Sequence, residues 1–130
     1  MAPVVLARLA YQRGLASIAV PGRGWYYRRR SGPTQLMLTF EMGPDYFREG
    51  LARALVGGRL AYVDRQLRIR IATRYVWGEP FEHGRAAVCV GCVEQRVDGG
   101  EHSIMTGGRW GAIDRRGREI EPLAERRPAR

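Results

Sequence analysis

No lysine occurs in the 130 residues, and no acidic residue precedes Glu41. All 22 basic side chains are arginines; GC-rich coding accounts for that choice but not for the formal charge of +9. Residues 1–40 hold six arginines and no acid, and residues 115–130 hold six arginines against three glutamates, whereas residues 41–114 carry ten of each sign. Basic ends around a neutral middle suit docking on nucleic acid or an acidic partner better than a uniform solubilising charge. Long apolar runs are also missing: Arg8 and Arg13 interrupt the early candidate, so no membrane span and no export signal are expected. Two cysteines are too few for a disulfide scaffold, and the expected setting is the cytoplasm.

What the chain does have is internal repetition, which is sought before secondary structure. Tyr11-Gln-Arg-Gly14-Leu-Ala16, Phe47-Arg-Glu-Gly50-Leu-Ala52 and Phe81-Glu-His-Gly84-Arg-Ala86 share an aromatic, two polar residues, a glycine, one residue and an alanine. A valine follows six residues after each glycine, at Val20, Val56 and Val90. Trp25 with Gly32 and Trp110 with Gly117 share a seven-residue separation, and Leu60 and Leu67 fill those places in the middle copy. Tyr62-Val63-Asp64 then matches Ala112-Ile113-Asp114.

Each copy encodes a short antiparallel meander. "LARALV" alternates small and apolar residues; Gly57-Gly58 and Pro21-Gly22 supply hairpin turns; "RLAYVD" and "RWGAID" return. Asp64 and Asp114 suit tight turns, each carboxylate accepting a backbone N–H. A third strand follows, in which Leu67, Ile69 and Ile71 alternate with Arg68 and Arg70. A helix over "PDYFREGLARAL" would put Tyr46, Leu51 and Leu55 on one face, but Gly50 falls in its middle and the matching segments lack helical pattern. The expected fold is all-β: three repeats of about 35 residues near 11–46, 47–80 and 81–122, forming one domain over residues 1–122. The third repeat is enlarged over 92–107 by a hairpin turning at Asp98-Gly99-Gly100, and residues 123–130 read as a disordered basic tail.

The phrases "PFEHGRAAV" and "GGRWGAIDRRGREIEP" resemble the bacterial WG (Trp-Gly) repeat family. The third unit carries most of the likeness, at Phe81, Gly84, Ala86, Val88, Trp110, Gly111, Ile113, Asp114, Gly117, Ile120 and Pro122. The second unit has Leu60-Ala61 for Trp-Gly, and the first has Trp25-Tyr26 with Arg29 for the aspartate. The resemblance implies a β-repeat used for binding or scaffolding, including in conflict and mobile-element systems, without a catalytic residue. It names no ligand.

Two constellations carry chemistry. "GRGWYYRRR" sets Trp25, Tyr26 and Tyr27 before Arg28, Arg29 and Arg30, joining stacking surfaces to phosphate-binding charge as single-stranded nucleic-acid sites do. Strand alternation splits this set over two faces, and the bland alternative is a core tryptophan beside a solvated turn. Arg68, Arg70 and Arg74 extend the basic surface from the next unit, or else charge an exposed edge against aggregation. The second constellation gathers every cysteine and histidine: His83, Cys89, Cys92 and His102. The order is non-standard for zinc, and Cys89 also suits a small apolar core position, so no metal and no cofactor are expected. No Ser/His/Asp or paired-carboxylate set stands out. The expected function is a non-enzymatic binding module docking on nucleic acid or a nucleoprotein complex; the alternative is an adaptor or inhibitor that binds an acidic protein surface.

Overall fold

The computed structural model describes residues 9–100 and 102–128, apart from the side chains of Asp98 and His102. The first sheet is the meander β1 (Leu15–Val20), β2 (Gly24–Arg29) and β3 (Thr34–Leu36). A two-stranded ribbon, β4 (Thr39–Phe40) and β5 (Gly43–Pro44), leads to the second meander, β6 (Ala52–Val56), β7 (Arg59–Val63) and β8 (Ile69–Ala72). The last sheet has the order β14 (Glu119–Ala124), β13 (Arg109–Asp114), β10 (Arg85–Val90), β9 (Trp77–Gly78). Between β10 and β13 stands a separate hairpin, β11 (Val93–Val97) and β12 (His102–Thr106), turning through a 3-10 segment at Asp98–Gly100. The chain is all-β, as expected, and the 92–107 enlargement is a hairpin.

The aromatic-x-x-Gly phrase is a turn. In each copy two successive residues just ahead of β1, β6 or β10 have positive φ: Arg13 and Gly14 (53° and 83°), Glu49 and Gly50 (51° and 78°), with Leu51 before the strand, and His83 and Gly84 (55° and 76°). Positive φ at both central positions is the type I′ geometry, which places glycine second. Each turn is closed by a reciprocal pair of backbone hydrogen bonds, Gln12 with Leu15, Arg48 with Leu51 and Glu82 with Arg85. Two of these turns also touch: the Glu49 carboxylate accepts from the Gly84 N–H at 3.1 Å.

The units interlock by handing strands across. After β3, Met37 bridges Ala54, and the Leu38 N–H donates to the Arg53 carbonyl at 3.0 Å. After β8, β9 pairs with β10 and the Glu79 N–H donates to the Ala87 carbonyl at 2.8 Å. Apolar residues therefore bury at the junctions. Leu15, Met37, Ala52, Ala54, Val63 and Leu67 fill the first; Leu60, Tyr62, Ile71, Phe81, Val88 and Ile113 are among those filling the second. Each such aliphatic or aromatic side chain contributes roughly 1.5–3 kcal/mol when fully buried.

One ion pair lies inside this junction. Arg53, on β6, donates from Nε and Nη2 to both oxygens of Asp45 at 3.0 and 2.8 Å, and from Nη1 to the Gly78 carbonyl at 3.0 Å. The Arg53 N–H also reaches Asp45 at 2.8 Å. Both side chains are about 95% buried, with 5% and 3% exposed.

Two expectations are corrected. Leu67, Ile69 and Ile71 do not share one buried face: Leu67 sits in the turn at φ 60°, the β7–β8 register shifts between Tyr62 and Val63, and Ile69 is 47% exposed. Residues 123 and 124, expected to belong to a disordered tail, are strand: Leu123 and Ala124 complete β14 and Ala124 pairs with Trp110. Residues 129 and 130 lie outside the described residues.

Replacing Arg53 by Met leaves a buried carboxylate uncompensated and should lower unfolding free energy by roughly 3–5 kcal/mol in urea denaturation. The double change Arg53→Met with Asp45→Leu should lose clearly less. A Cβ at Gly78 would stand 2.6 Å from Leu60 Cδ2 and 2.8 Å from the Tyr62 hydroxyl. Gly78→Ala should therefore cost about 1–3 kcal/mol in the same assay, through overpacking.

Candidate nucleic-acid interface and the cysteine pair

Strand β2 carries Trp25, Tyr26, Tyr27, Arg28 and Arg29, all partly buried, with Arg30 exposed just beyond it. Its register against β1 pairs Trp25 with Ala19 and Tyr27 with Ser17. Pleating sends Trp25 and Tyr27 to one face, where they line an open groove of about 960 Å³. Ser17 and Leu15 floor it, Arg13 and Arg65 bring positive charge, and Tyr46 and Phe47 come from the segment before β6.

The aromatics are held in place from below. Tyr27 stacks on Phe47 at 5.5 Å, and its hydroxyl donates to the Asp45 carbonyl at 2.8 Å. Burial, and then the nearby Asp45 charge, push the Tyr27 phenol above its ordinary pKa, so it stays a donor. Tyr46 packs edge-on to Phe40 at 5.3 Å and is 53% exposed, and Met42 beside it is 91% exposed.

Arginines cap the repeated aromatic at equivalent positions. The Arg30 guanidinium lies 4.5 Å from the Tyr11 ring centre and that of Arg65 lies 4.6 Å from Phe47. Arg30 follows Arg29 as Arg65 follows Asp64, and the two arginines are 35 residues apart. Sequence reasoning missed Arg65, although the repeat offset from Arg30 pointed to it. In the third unit the equivalent Arg115 donates instead to the Glu49 carbonyl at 2.9 Å, because Phe81 is buried in the core.

The nine candidate residues thus separate. Trp25 and Tyr27 face the groove. Arg28 turns back and donates to the Gly32 carbonyl at 3.1 Å and the Thr34 hydroxyl at 3.3 Å. Arg68 and Arg70 both bind the Asp64 carboxylate, at 2.9 and 3.4 Å. Arg74 reaches Glu119 on β14 at 3.2 Å and covers the Tyr75 ring. Charge that reads as one stripe in sequence is partly neutralised inside the fold.

Asp64 and Asp114 are built alike. Asp64 Oδ1 accepts from the Gln66 and Arg68 N–H groups at 2.9 and 3.0 Å, and Asp114 Oδ1 accepts from Arg116 and Arg118, both at 2.9 Å. Desolvation raises the Asp64 pKa, but the hydrogen bonds from Arg68 and Gln66 and the Arg68 charge together outweigh it and hold the carboxyl below its ordinary range. For Asp114, the Arg118 N–H is the main cause of the same downward shift.

The metal candidates are corrected. Cys89 and Cys92 are joined by a disulfide, so neither offers a thiolate to zinc. Both cysteines are buried beside Trp77 and Trp110, and His83 is the first of the two central residues of a type I′ turn. The candidate side chain of His102 lies outside the described residues. Gly108 permits this crossing: a Cβ there would stand 2.4 Å from the Val90 carbonyl oxygen and the Cys92 nitrogen. No helix among the described residues is long and apolar enough to cross a membrane.

With this geometry in place, the comparisons are informative. A family model described as the WG containing repeat matches residues 61–91. That window holds Ala61-Tyr62-Val63-Asp64 at its start and Phe81, Gly84, Ala86 and Val88 near its end, consistent with the WG-type β-repeat resemblance. No curated protein and no solved structure matches the chain significantly.

The folded Asp64 carboxyl is depressed, so its contribution is present above the unfolded value near ~4 and is lost as pH falls through the folded value. Asp64→Asn should accordingly be less stable than wild type at neutral pH. The gap in urea midpoint should close as the solution is acidified below pH ~4.

Proposed function

We propose that the protein is a non-enzymatic binding module that docks on nucleic acid, alone or within a nucleoprotein complex, through the groove at its first repeat. The observation that carries this reading is the meeting of Trp25 and Tyr46 with Arg13 and Arg65 along one open groove. Exposed aromatic faces stack on bases of any sequence, and nearby guanidinium groups neutralise phosphates. Among the described lining residues the two arginines outnumber the single acid, Glu41, which leaves the groove net positive. A single strand suits it better than a duplex, because bases must be unstacked to reach recessed aromatic rings.

The reading reassigns weight among the arginines. Arg13 and Arg65 line the groove and Arg30 stands on Tyr11 beside it, whereas Arg28, Arg68, Arg70 and Arg74 bond within the protein. The setting is taken as cytoplasmic. In a reducing compartment Cys89 and Cys92 would pack as small apolar thiols in the same tryptophan cluster.

The test is fluorescence anisotropy with labelled single-stranded RNA and double-stranded DNA across a salt series. Wild type should prefer the single strand and weaken steeply with salt. Combining Arg13→Ala with Arg65→Ala should flatten the plot of log K against log salt by about 0.7 per arginine. Trp25→Ala should weaken binding by roughly 1–3 kcal/mol and leave that slope unchanged. Failure of wild type to bind at low salt, or wild-type affinity in both variants, removes this reading. Capture of an acidic protein after nuclease treatment in high salt would then establish the adaptor alternative.

A further inference from the structure

At the opposite end of the repeat series the chain packs one of its own arginines against two tryptophans. After β14 the backbone turns back across the third unit, and Arg127 lays its guanidinium 4.2 Å from the Trp110 ring centre and 5.8 Å from that of Trp77. The two indoles meet edge to face at 6.0 Å and 76°. The Trp110 Nε1–H is already satisfied by the Gly107 carbonyl at 2.8 Å, which leaves the ring face for the cation. Arg127 Nη2 binds the Glu79 carboxylate, which is only 9% exposed, and Nη1 donates to the Met105 carbonyl at 3.3 Å.

Two indoles and a recessed carboxylate around a planar cation match the chemistry of guanidinium: weakly hydrated, stacking and forked in its donors. A cavity of about 510 Å³ continues from this point. Pro128 lines it together with Phe40, Phe81 and Ala112 and with the charged Arg48, Glu82 and Arg85. The resident segment is held lightly: among the described residues, 125–128 make no backbone–backbone hydrogen bond.

We propose that Trp77, Trp110 and Glu79, with the adjoining cavity, form a binding site for an arginine-proline segment of an extended peptide on a partner protein. Arg127 and Pro128 occupy it as an internal competitor. The occupant's chemistry is read from the resident: an arginine for the cage, then a proline at the cavity beside it. The partner must displace Arg127, so its apparent affinity is scaled down to the fraction of molecules in which the cage is open. This site is separate from the groove at the first repeat, and either can fail without the other.

The probe is a synthetic peptide of sequence Ala-Glu-Arg-Arg-Pro-Ala-Arg, titrated into the full chain and followed by tryptophan fluorescence and calorimetry. Arg127→Ala and Arg127→Gln should bind it saturably, at least about tenfold more tightly than wild type, because the internal competitor is gone. Adding Glu79→Gln should abolish that gain. A peptide with lysine at the position matching Arg127 should bind about tenfold more weakly, since lysine lacks the planar fork. Equal binding of the arginine and lysine peptides, equal binding by wild type and variants, or no binding by variants with native near-UV circular dichroism overturns the proposal. Unfolding of both variants also overturns it, because Arg127 would then be part of the core and not an exchangeable occupant.

Discussion

Asp45 and Arg53 hold three successive repeats with one pair of side chains. Asp45 comes from the segment that ends the first unit, Arg53 from the opening strand of the second, and the Gly78 carbonyl that Arg53 also binds from the link into the third. Burying two charges is unfavourable unless geometry and hydrogen bonds are nearly complete. Here both carboxylate oxygens and three guanidinium donors are used, and the Arg53 amide adds a fourth contact. An apolar pair of similar volume would stabilise as well but would not fix the register of one strand on the next. The repeats are short and individually coreless, so that register decides which residues face the junctions.

Stacking in this way leaves the repeat series with two different ends. Leu60 and Trp110, at the position of Trp25, are almost wholly buried, because a neighbouring unit or the inserted hairpin covers them. Trp25 is only partly covered, and β1 is an edge strand among the described residues. At the other end the Cys89–Cys92 bond, the hairpin β11–β12 and Arg127 gather around Trp77 and Trp110. The same repeat position is thus buried in the second and third units and only partly covered in the first.

Arginine without lysine has a structural consequence as well. Nearly every ring contact by a cation in this fold reuses the planar guanidinium: Arg30 on Tyr11, Arg65 on Phe47, Arg74 on Tyr75, Arg127 on Trp110. An ammonium would be more strongly hydrated and would lie less readily against a ring. Much of the formal charge is therefore not free for a partner, and counts along the chain overstate it. Arg68 and Arg70 illustrate this: both stay more than half exposed, yet they share the Asp64 carboxylate.

The sequence by itself determined whatever depends on neighbours a few residues apart. Glycine at a fixed offset from an aromatic specifies a turn with positive φ, and Asp64 and Asp114 close their own backbones within four residues. The three meanders, the inserted hairpin and the repeat period follow from such local rules. Only the tertiary structure decided what depends on distant pairing: that Arg53 meets Asp45, that Arg65 and not Arg28 joins Trp25 at the groove, that Arg127 enters a cage of Trp77 and Trp110, and that two cysteines bond to each other. Periodicity names the face on which a side chain lies. It cannot say which other face the stacking of repeats will bring against it, and burial, charge neutralisation and recognition are all settled at that contact.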